Sequence, residues 1–485
     1  MRFSDCEQSA RRSLLLSLIF LVPAAQALLP IDDPDIWWRL RAGEWIVEHH
    51  SVPYADNFLA YGVGKPWIEY SWLFAVLVYG AHHNFGLYGL IGLVVGFALS
   101  IAFATYRLVR DSGLPLAAQA VLAGLALGTM KTLMTPRPWL ISILFFAIEL
   151  AVIFRARVTE KDRSLWFLPL LFFVWSNFHI QFVYGLAAVG LLFAETLLVR
   201  TSATMGFRVE APSFRPGRLA LVTLACAGAT LLTPYHFLLY QQVIDYMFER
   251  SAGFQYISEF HPMFFYSAGE WIALLLALAG AFALGWRRSW SPFPIALYLM
   301  AMALAFRTRR DVWMLALVAV ATIADCARRF QTAAPYRFSR GQLIVTVATV
   351  AVILYALALN RGLTDKQLQA AVAAKYPVQA VAYVKANKLA GPLYNHYDWG
   401  GFLLWSLREL PPVLDGRTNL FDDAHIERSL ETWNGGVGWE ADPDLLKAKL
   451  VIAEKDRALT HLLRPQPNYK IVYEDGTAVV FVRVT

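Results

Sequence analysis

Three carboxylates stand within four positions near the start of the chain, and two tryptophans follow them. The acids are Asp32, Asp33 and Asp35, and the tryptophans are Trp37 and Trp38. Carboxylates are costly near hydrocarbon, whereas tryptophans favour the membrane–water interface. Because the segment directly follows the first long apolar run, it is predicted to lie at a membrane surface. Acids held there can bind and deprotonate a sugar or lipid hydroxyl.

The same acids also have a purely structural interpretation. Asp33 followed by Pro34 is a typical helix start, with Asp33 as the N-cap and Asp35 beside the positive end of the helix dipole. The helix is predicted to run to about Glu48 and to lay an apolar side, which includes Trp37, on lipid. Three acids exceed what one cap needs, so both interpretations stay open.

A second carboxylate, Glu69, lies farther along the same predicted loop, between aromatic residues. A solvated surface glutamate is one interpretation. The other is a pair of carboxylates from two parts of the loop that positions an acceptor hydroxyl or holds a divalent cation. A divalent metal is therefore compatible with the sequence, but no feature requires one, and no other cofactor is predicted.

Four further polar clusters stand at the ends of apolar runs or in the connections between them. They combine guanidinium, imidazole and carboxylate groups, which can bind a phosphate and the hydroxyls of a sugar. Arginine at the end of a span often only reaches lipid head groups, but the shared predicted side of these clusters favours a binding role. The residues predicted to bind substrate or its phosphate are Arg137, His179, Glu259, His261, Arg309 and Arg310.

The composition is that of a polytopic membrane protein. The chain has 57% hydrophobic and only 16% charged residues, with a mean hydropathy of +0.45. A net charge of +7 would favour nucleic acid in a soluble protein, but here the basic residues lie between apolar runs, so no nucleic-acid partner is predicted. The three cysteines indicate neither a disulfide framework nor a thiolate metal site.

Eleven apolar runs are long enough to be membrane spans. The first also resembles a secretory signal peptide, but a chain with later spans needs no removable signal, so we count it as a span. Lys and Arg are more frequent in the connections that share a side with the N-terminus. That distribution places the N-terminus in the cytoplasm, and it places the loop 30–83, the polar clusters and the C-terminus outside. The predicted spans are 13–29, 85–106, 114–130, 138–154, 164–178, 183–199, 219–234, 268–286, 291–306, 312–326 and 342–359.

Residues 67–83 are apolar but must not cross the membrane if this assignment holds. They are predicted to lie in the interface as a short helix. After residue 360 the composition changes to ordinary polarity, so the predicted domains are a mainly helical membrane domain, 1–360, and a small extracytoplasmic α/β domain, 361–485. Strands are predicted at 393–394, 412–414, 450–453, 469–473 and 478–482, with helices near 376–388, 398–407 and 456–463.

A series of short motifs runs in order along most of the chain. It comprises the acid and tryptophan segment, residues 52–56, 67–73, 137–138, 175–179, 234–235, Glu259, 309–310, 398–401 and 415–417. In this order the motifs resemble the bacterial polytopic membrane glycosyltransferases of the GT-C fold class, which are relatives of protein O-mannosyltransferases and aminoarabinose transferases. The resemblance implies transfer of a hexose or pentose from a polyprenyl-phosphate carrier to a glycan, lipid or protein acceptor. The reaction would take place on the outer face of the bacterial inner membrane.

The resemblance also implies roles for particular residues. Asp33 or Asp35 would be the catalytic base or the acceptor-binding group, and the arginines named above would hold the lipid phosphate. Similar proteins often have a second glutamate where Ser71 stands here. Whether Glu69 replaces that acid stays open, as does the choice between a retaining and an inverting reaction.

A non-catalytic function is the alternative interpretation. A transporter, a flippase or an assembly partner for envelope polysaccharide could bind lipid phosphate through the same arginines and use the acids only as caps. Transport sites usually lie near the middle of spans, whereas these charged residues are predicted at one face, which favours an enzyme. The motifs at 398–401 and 415–417 are either tight turns or a surface that binds glycan.

Overall fold

A computed structural model of the chain describes residues 3–59, 62–204, 211–248, 257–287, 291–328 and 338–484. Contacts between residues group the chain into two compact units. The first unit consists of Met1–Leu29, Ile91–Gln241 and Ile257–Gly362, and the second of Pro30–Leu90, Gln242–Tyr256 and Leu363–Thr485. The predicted outer loop, 30–83, is therefore grouped with the residues that follow Leu363.

Helices make up most of the described chain. Six of them are long and apolar enough to cross a membrane, three shorter apolar helices accompany them, and each of the eleven predicted spans overlaps a helix. The predicted mainly helical, polytopic membrane fold is confirmed. In chain order the helices are α1 (Phe3–Ala27), α2 (Asp35–His49), α3 (Trp72–Arg110), α4 (Leu116–Thr129), α5 (Trp139–Thr159), α6 (Leu168–Phe178), α7 (Phe182–Thr204), α8 (Pro216–Ala229), α9 (Leu238–Phe248), α10 (Ala268–Trp286), α11 (Pro292–Arg307), α12 (Val312–Arg328), α13 (Arg340–Asn360), α14 (Asp365–Lys375), α15 (Val378–Ala386), α16 (Tyr397–Ser406), α17 (Asp423–Trp433), α18 (Pro443–Lys447) and α19 (Ala458–Leu463).

Local sequence signals explain where two of these helices begin and where a third is interrupted. α10 and α13 both start with a capping box, formed by Ser267 with Glu270 and by Ser339 with Gln342. α3 contains a break at Gly86, whose φ of 57° lies in the left-handed region that favours glycine. The break separates the segment predicted to lie in the interface, which is helical from Trp72, from the rest of α3.

The prediction that α2 lays its apolar side on lipid is wrong. Trp37 is only 4% exposed, because its ring packs edge-on against Tyr376 and Phe402 within the second unit. Trp38 is 5% exposed and packs against Trp67. Aromatic surface that the sequence assigns to the membrane interface is therefore buried against other parts of the same unit.

Four of the five predicted C-terminal strands form, and together they make one four-stranded sheet. The strands are β1 (Leu393–Asn395), β2 (Leu450–Glu454), β3 (Tyr469–Glu474) and β4 (Ala478–Arg483), in the order β1-β2-β4-β3. β1 is parallel to β2, and the other neighbours are antiparallel, with β3 and β4 joined as the predicted hairpin.

The strand predicted at 412–414 is absent from the described fold. The Asn395 side chain accepts a hydrogen bond from the Val413 N–H and donates one to the Leu414 carbonyl, each at 2.9 Å. These bonds satisfy backbone groups that would otherwise pair with a neighbouring strand. One amide side chain therefore replaces strand pairing at this position.

The motif 398–401 lies in the first turns of α16, directly after β1. A Cβ at Gly400 would stand 1.9 Å from the Leu414 carbonyl oxygen, so only glycine permits this close approach of two backbones. The glycine therefore brings α16 against residues 414–415.

We expect Gly400→Ala to destabilise the protein by about 1–3 kcal/mol, although alanine favours helix, because backbone atoms must move to admit the Cβ. Thermal unfolding of the purified protein, followed by tryptophan fluorescence, measures the change. Gly80→Ala is the matched control, since Gly80 is also helical and a Cβ there meets no atom within 4 Å. Equal unfolding temperatures for the two variants would contradict the close approach.

Candidate functional site

Two of the three clustered acids, Asp32 and Asp33, form contacts that stabilise the local structure. Asp33 is 6% exposed, and its Oδ1 accepts the N–H of Asp35, the first residue of α2, at 2.9 Å, so it holds the start of the helix although Pro34 is the residue directly before it. Asp32 is exposed and forms an ion pair with Lys375. Neither carboxylate therefore has the setting expected of a poised catalytic group.

Asp35 is half-buried and has a different environment. Its carboxylate lies against the backbone of Gly416, where an added Cβ would stand 2.0 Å from Asp35 Oδ1. The indole Nε1 of Trp38 would be 3.3 Å from the same Cβ position. Gly416 therefore leaves room for the one acid of the cluster that is neither fully buried nor exposed.

Glu69 is 1% exposed and contacts α2. Its Oε1 accepts hydrogen bonds from Arg39 Nη1 at 3.4 Å and from the Ser71 N–H at 3.0 Å. Burial raises the pKa of Glu69, although the Arg39 guanidinium opposes this effect. The Asp35 carboxylate is close enough to raise the same pKa further.

Ser71 does not carry the acid that the family resemblance leads one to expect, and Glu69 precedes α3 instead of lying within it. The Glu69 side chain accepts the N–H of Ser71, directly before α3, and contacts Arg39.

A buried ion-pair cluster joins the first loop to residues far along the chain. Arg417 Nη1 donates to Asp56 Oδ1 at 2.6 Å, and Arg417 Nε donates to Asp415 Oδ2 at 2.9 Å. All three side chains are at most 1% exposed. The guanidinium lies over the rings of Trp67, at 4.6 Å, and Phe58, at 5.3 Å. Burial raises the pKa of Asp415, and Arg417 opposes this.

The first unit contains a second group of candidate residues, centred on Trp139 at the start of α5. Arg137 lies 4.9 Å from the centre of this ring and forms an ion pair with Glu259 at 3.4 Å. Arg310 lies 5.5 Å from the Trp139 ring and 5.2 Å from the ring of Phe260. Within the part of the chain that the structure describes, Arg310 forms no ion pair and its buried Nε has no hydrogen-bond acceptor.

Arg309 has a carboxylate partner, unlike the neighbouring Arg310 among the described residues. Its guanidinium forms an ion pair with Glu270 at 3.3 Å and donates to the Pro262 carbonyl. Its backbone N–H donates to the His261 carbonyl at 2.9 Å, and the His261 ring packs on Phe264. Arg309 and His261 therefore lie side by side on two different connections between helices, and Glu270 already balances the positive charge of Arg309.

His179 follows α6 and is fully buried. Its Nδ1 lies 2.8 Å from Ser142 Oγ, which also accepts the Trp175 indole N–H at 2.9 Å. Ser142 is one turn along α5 from Trp139. His179 therefore belongs to the neighbourhood of α5, through a hydrogen-bonded pair instead of a direct contact with the arginines.

Asp311 is a buried acid that the sequence reasoning did not single out, although it directly follows Arg310. It accepts hydrogen bonds from Gln181, Tyr184 and Thr308 at 2.9–3.1 Å. Burial raises the pKa of Asp311, and Arg310 opposes this. Asp311 therefore adds a carboxylate to the electrostatic surroundings of Arg310.

The nine candidate residues fall into the two units. Asp33, Asp35 and Glu69 lie in the second unit, and the six phosphate or substrate candidates lie in the first. The sequence did not indicate the buried contacts of Arg39 with Glu69 or of Arg417 with Asp56 and Asp415. It also did not single out the buried acid Asp311. Among the described residues, no group of three or more His, Cys, Asp or Glu side chains is arranged to hold a metal ion.

In sequence, no protein-family model and no curated protein matches the chain. In structure, the chain is similar to the aminoarabinose transferase ArnT from Cupriavidus metallidurans, which was solved bound to undecaprenyl phosphate. The similarity covers 100% of this chain and 99% of ArnT, with a TM-score of 0.50 and 14% identical residues. The chain has the GT-C fold. It is a multi-pass membrane protein whose resemblance to this fold class, inferred from short motifs, is confirmed at the level of structure.

The buried cluster around Arg417 gives a stability prediction. We expect Arg417→Met to destabilise the protein by about 3–5 kcal/mol, because Asp56 and Asp415 would remain buried without their counter-ion. Thermal unfolding with tryptophan fluorescence is the measurement. Adding Asp56→Asn and Asp415→Asn to the variant should recover part of the loss, since the uncompensated charges are then removed.

Arg464→Met is the control for loss of an arginine ion pair. Arg464 pairs with Glu474 on the surface, so its removal should change the unfolding temperature little. Similar changes in unfolding temperature for Arg417→Met and Arg464→Met would show that the buried cluster stabilises the protein no more than a surface ion pair does.

Proposed function

We propose that the protein is a membrane glycosyltransferase of the bacterial inner membrane. It moves a hexose or pentose from a polyprenyl-phosphate carrier to a glycan, lipid or protein acceptor on the outer face. Its N-terminus lies in the cytoplasm, and residues 361–485 lie outside. The observation that carries the proposal is the full-length similarity to ArnT, a transferase solved with undecaprenyl phosphate.

Asp35 is the proposed base that binds the acceptor hydroxyl. Asp32 pairs with Lys375, Asp33 caps α2, and Glu69 is buried beside Arg39. Asp35 is the acid that retains partial exposure and lies against a glycine backbone. A general base needs access to the proton that it takes, and the partial exposure of Asp35 gives it that access.

Arg310 is the proposed main partner of the lipid phosphate. The guanidinia of Arg137 and Arg309 are balanced by Glu259 and Glu270. Arg310 instead rests on aromatic rings without a carboxylate at ion-pair distance among the described residues. A guanidinium binds phosphate oxygens through two parallel hydrogen bonds, so an arginine without a bound acid is suited to this role.

The proposed reaction exchanges one bond at the anomeric carbon of the sugar. The acceptor hydroxyl gives its proton to the Asp35 carboxylate while its oxygen bonds to the anomeric carbon. The bond from that carbon to the phosphate oxygen breaks, and the polyprenyl phosphate leaves with the electron pair. A positively charged group that contacts the leaving phosphate stabilises the negative charge that develops there.

Asparagine substitutions distinguish the three neighbouring acids. We expect Asp35→Asn to lower the transfer rate about 10²–10⁴-fold, because asparagine cannot take a proton. Asp33→Asn should leave the rate nearly unchanged, since an asparagine still caps a helix, and so should Asp32→Asn, since it removes only an exposed ion pair. The assay uses proteoliposomes with undecaprenyl-phosphate-linked hexose and pentose donors, and mass spectrometry follows the release of undecaprenyl phosphate. Loss of activity in Asp33→Asn with normal Asp35→Asn would assign the base to Asp33.

The same assay separates transfer from transport. A transporter or flippase would move the lipid-linked sugar across the bilayer without cleaving the bond between sugar and phosphate. Movement of an intact donor, with no release of undecaprenyl phosphate for any sugar and acceptor tested, would contradict the proposed enzyme.

Binding of the carrier tests the role of Arg310. We expect Arg310→Ala to raise the Kd for undecaprenyl phosphate about 10-fold or more, since a charge-assisted pair is lost. Arg309→Ala should have a smaller effect, because Glu270 already balances that guanidinium. Native mass spectrometry of the purified protein measures both values, with exposed Arg163→Ala as the control. A larger effect of Arg309→Ala would reverse the assignment.

A further inference from the structure

A cavity rich in arginine lies at the C-terminal ends of α3 and α5, within the first unit. It has a volume of about 480 Å³, and among the described residues it is lined by four arginines, Arg107, Arg110, Arg155 and Arg328, and by one acid, Asp111. Four guanidinium groups and one carboxylate leave a clear excess of positive charge. We call this space the arginine cavity.

The charges in the arginine cavity are unequally balanced. Arg110 lies 3.7 Å from Asp111, and Arg328 donates to the Asp111 carbonyl at 2.9 Å and lies 3.9 Å from Asp325. Arg107 and Arg155 form no ion pair with any residue that the structure describes. Two guanidinium groups therefore line the cavity without a carboxylate partner among the described residues.

An apolar groove continues from the arginine cavity along the same two helices. It has a volume of about 660 Å³ and shares Arg107, Ala151 and Arg155 with the cavity. Its other lining residues are Leu99, Ser100, Phe103, Ala104, Leu144, Ala147, Ile148 and Val152. From Leu99 to Arg107 the helix rises about 12 Å, so the groove is long enough to hold part of an extended hydrocarbon chain.

This feature is distinct from the candidate site in the same unit. The residues around Trp139 stand at the start of α5, whereas Arg155 and Thr159 stand at its end. A helix of this length separates its two ends by about 30 Å. The arginine cavity therefore cannot share a bound phosphate with Arg137 or Arg310.

We propose that the arginine cavity and the apolar groove bind one anionic glycerophospholipid. Its phosphate contacts Arg107 and Arg155, and one acyl chain lies in the groove between α3 and α5. Both helices are long and apolar enough to cross a membrane, and Ser100 and Phe103 are exposed, so the groove opens to surrounding lipid. Basic pockets between membrane helices are suited to anionic head groups, and these lipids are abundant in the membrane. The proposal does not depend on the transferase reaction.

The test compares lipid binding by the purified full-length protein and its variants. Native mass spectrometry measures the Kd for phosphatidylglycerol and for phosphatidylcholine with the same acyl chains. We expect tighter binding of phosphatidylglycerol, and at least a 10-fold rise of its Kd in Arg107→Ala/Arg155→Ala. Arg107→Lys/Arg155→Lys should retain most of the affinity, which guards against a loss that reflects misfolding.

Two further variants separate the site from a general attraction of positive charge. Arg163→Ala/Arg340→Ala removes two exposed arginines outside the cavity and should leave the Kd unchanged. Ala151→Trp fills the shared wall of cavity and groove and should weaken binding without changing any charge. Equal loss in the Arg163→Ala/Arg340→Ala control, or no loss in Arg107→Ala/Arg155→Ala, would overturn the proposal.

Undecaprenyl phosphate is the remaining probe, because it presents a phosphate on a different chain. If Arg107→Ala/Arg155→Ala weakens undecaprenyl phosphate binding and leaves phosphatidylglycerol unaffected, the cavity belongs to the polyprenyl carrier and the proposed occupant is wrong. Arg310→Ala should leave phosphatidylglycerol binding unchanged, so failure of this proposal and failure of the proposed enzyme are distinguishable.

Discussion

The second unit depends on one set of interactions, the buried ion pairs of the Arg417 guanidinium with Asp56 and Asp415. Removing such charges from water costs several kcal/mol per ion, and only close pairing with further hydrogen bonds offsets that cost. The Asp56 side chain also accepts the N–H groups of Phe58 and Leu59, so its position fixes the local backbone. Two segments that are 361 positions apart in sequence are consequently held at one place.

This constraint sets the surroundings of the acidic segment. Gly416, which lies between two members of the buried cluster, provides the backbone against which Asp35 is placed. Asp33 is turned into the start of α2, and Asp32 remains outside beside Lys375. Three residues of the same chemical kind thus acquire different exposure and partners, and environment is what separates a capping carboxylate from a catalytic one.

The arginines of the first unit show the complementary effect for positive charge. Carboxylates balance Arg137 and Arg309, whereas aromatic rings support Arg310. An aromatic face attracts a cation without neutralising it, so the charge remains available to an anionic ligand. At the far end of α5, Arg107 and Arg155 line a cavity without a carboxylate partner among the described residues, so their charges are also available to an anionic ligand.

The sequence alone was sufficient for the features that depend on near neighbours. Long apolar runs predicted the helices of the membrane fold, Asp33 was recognised as a cap, and alternation with a turn predicted the β3 and β4 hairpin. These signals are local, because a span, a cap or a hairpin needs only residues that are close in sequence. The order of short motifs added the fold class, which the similarity to ArnT confirms.

Only the tertiary structure decided which distant groups meet. The sequence predicted a strand at 412–414, but the Asn395 side chain takes up its hydrogen bonds. It placed Trp37 on lipid, but Tyr376 and Phe402 cover that ring. No spacing along the chain reveals such pairings, because burial and ion pairing depend on which segments the fold brings together. The sequence thus determined the elements and the kinds of chemistry available, and the fold determined the exposure and the partners of each residue.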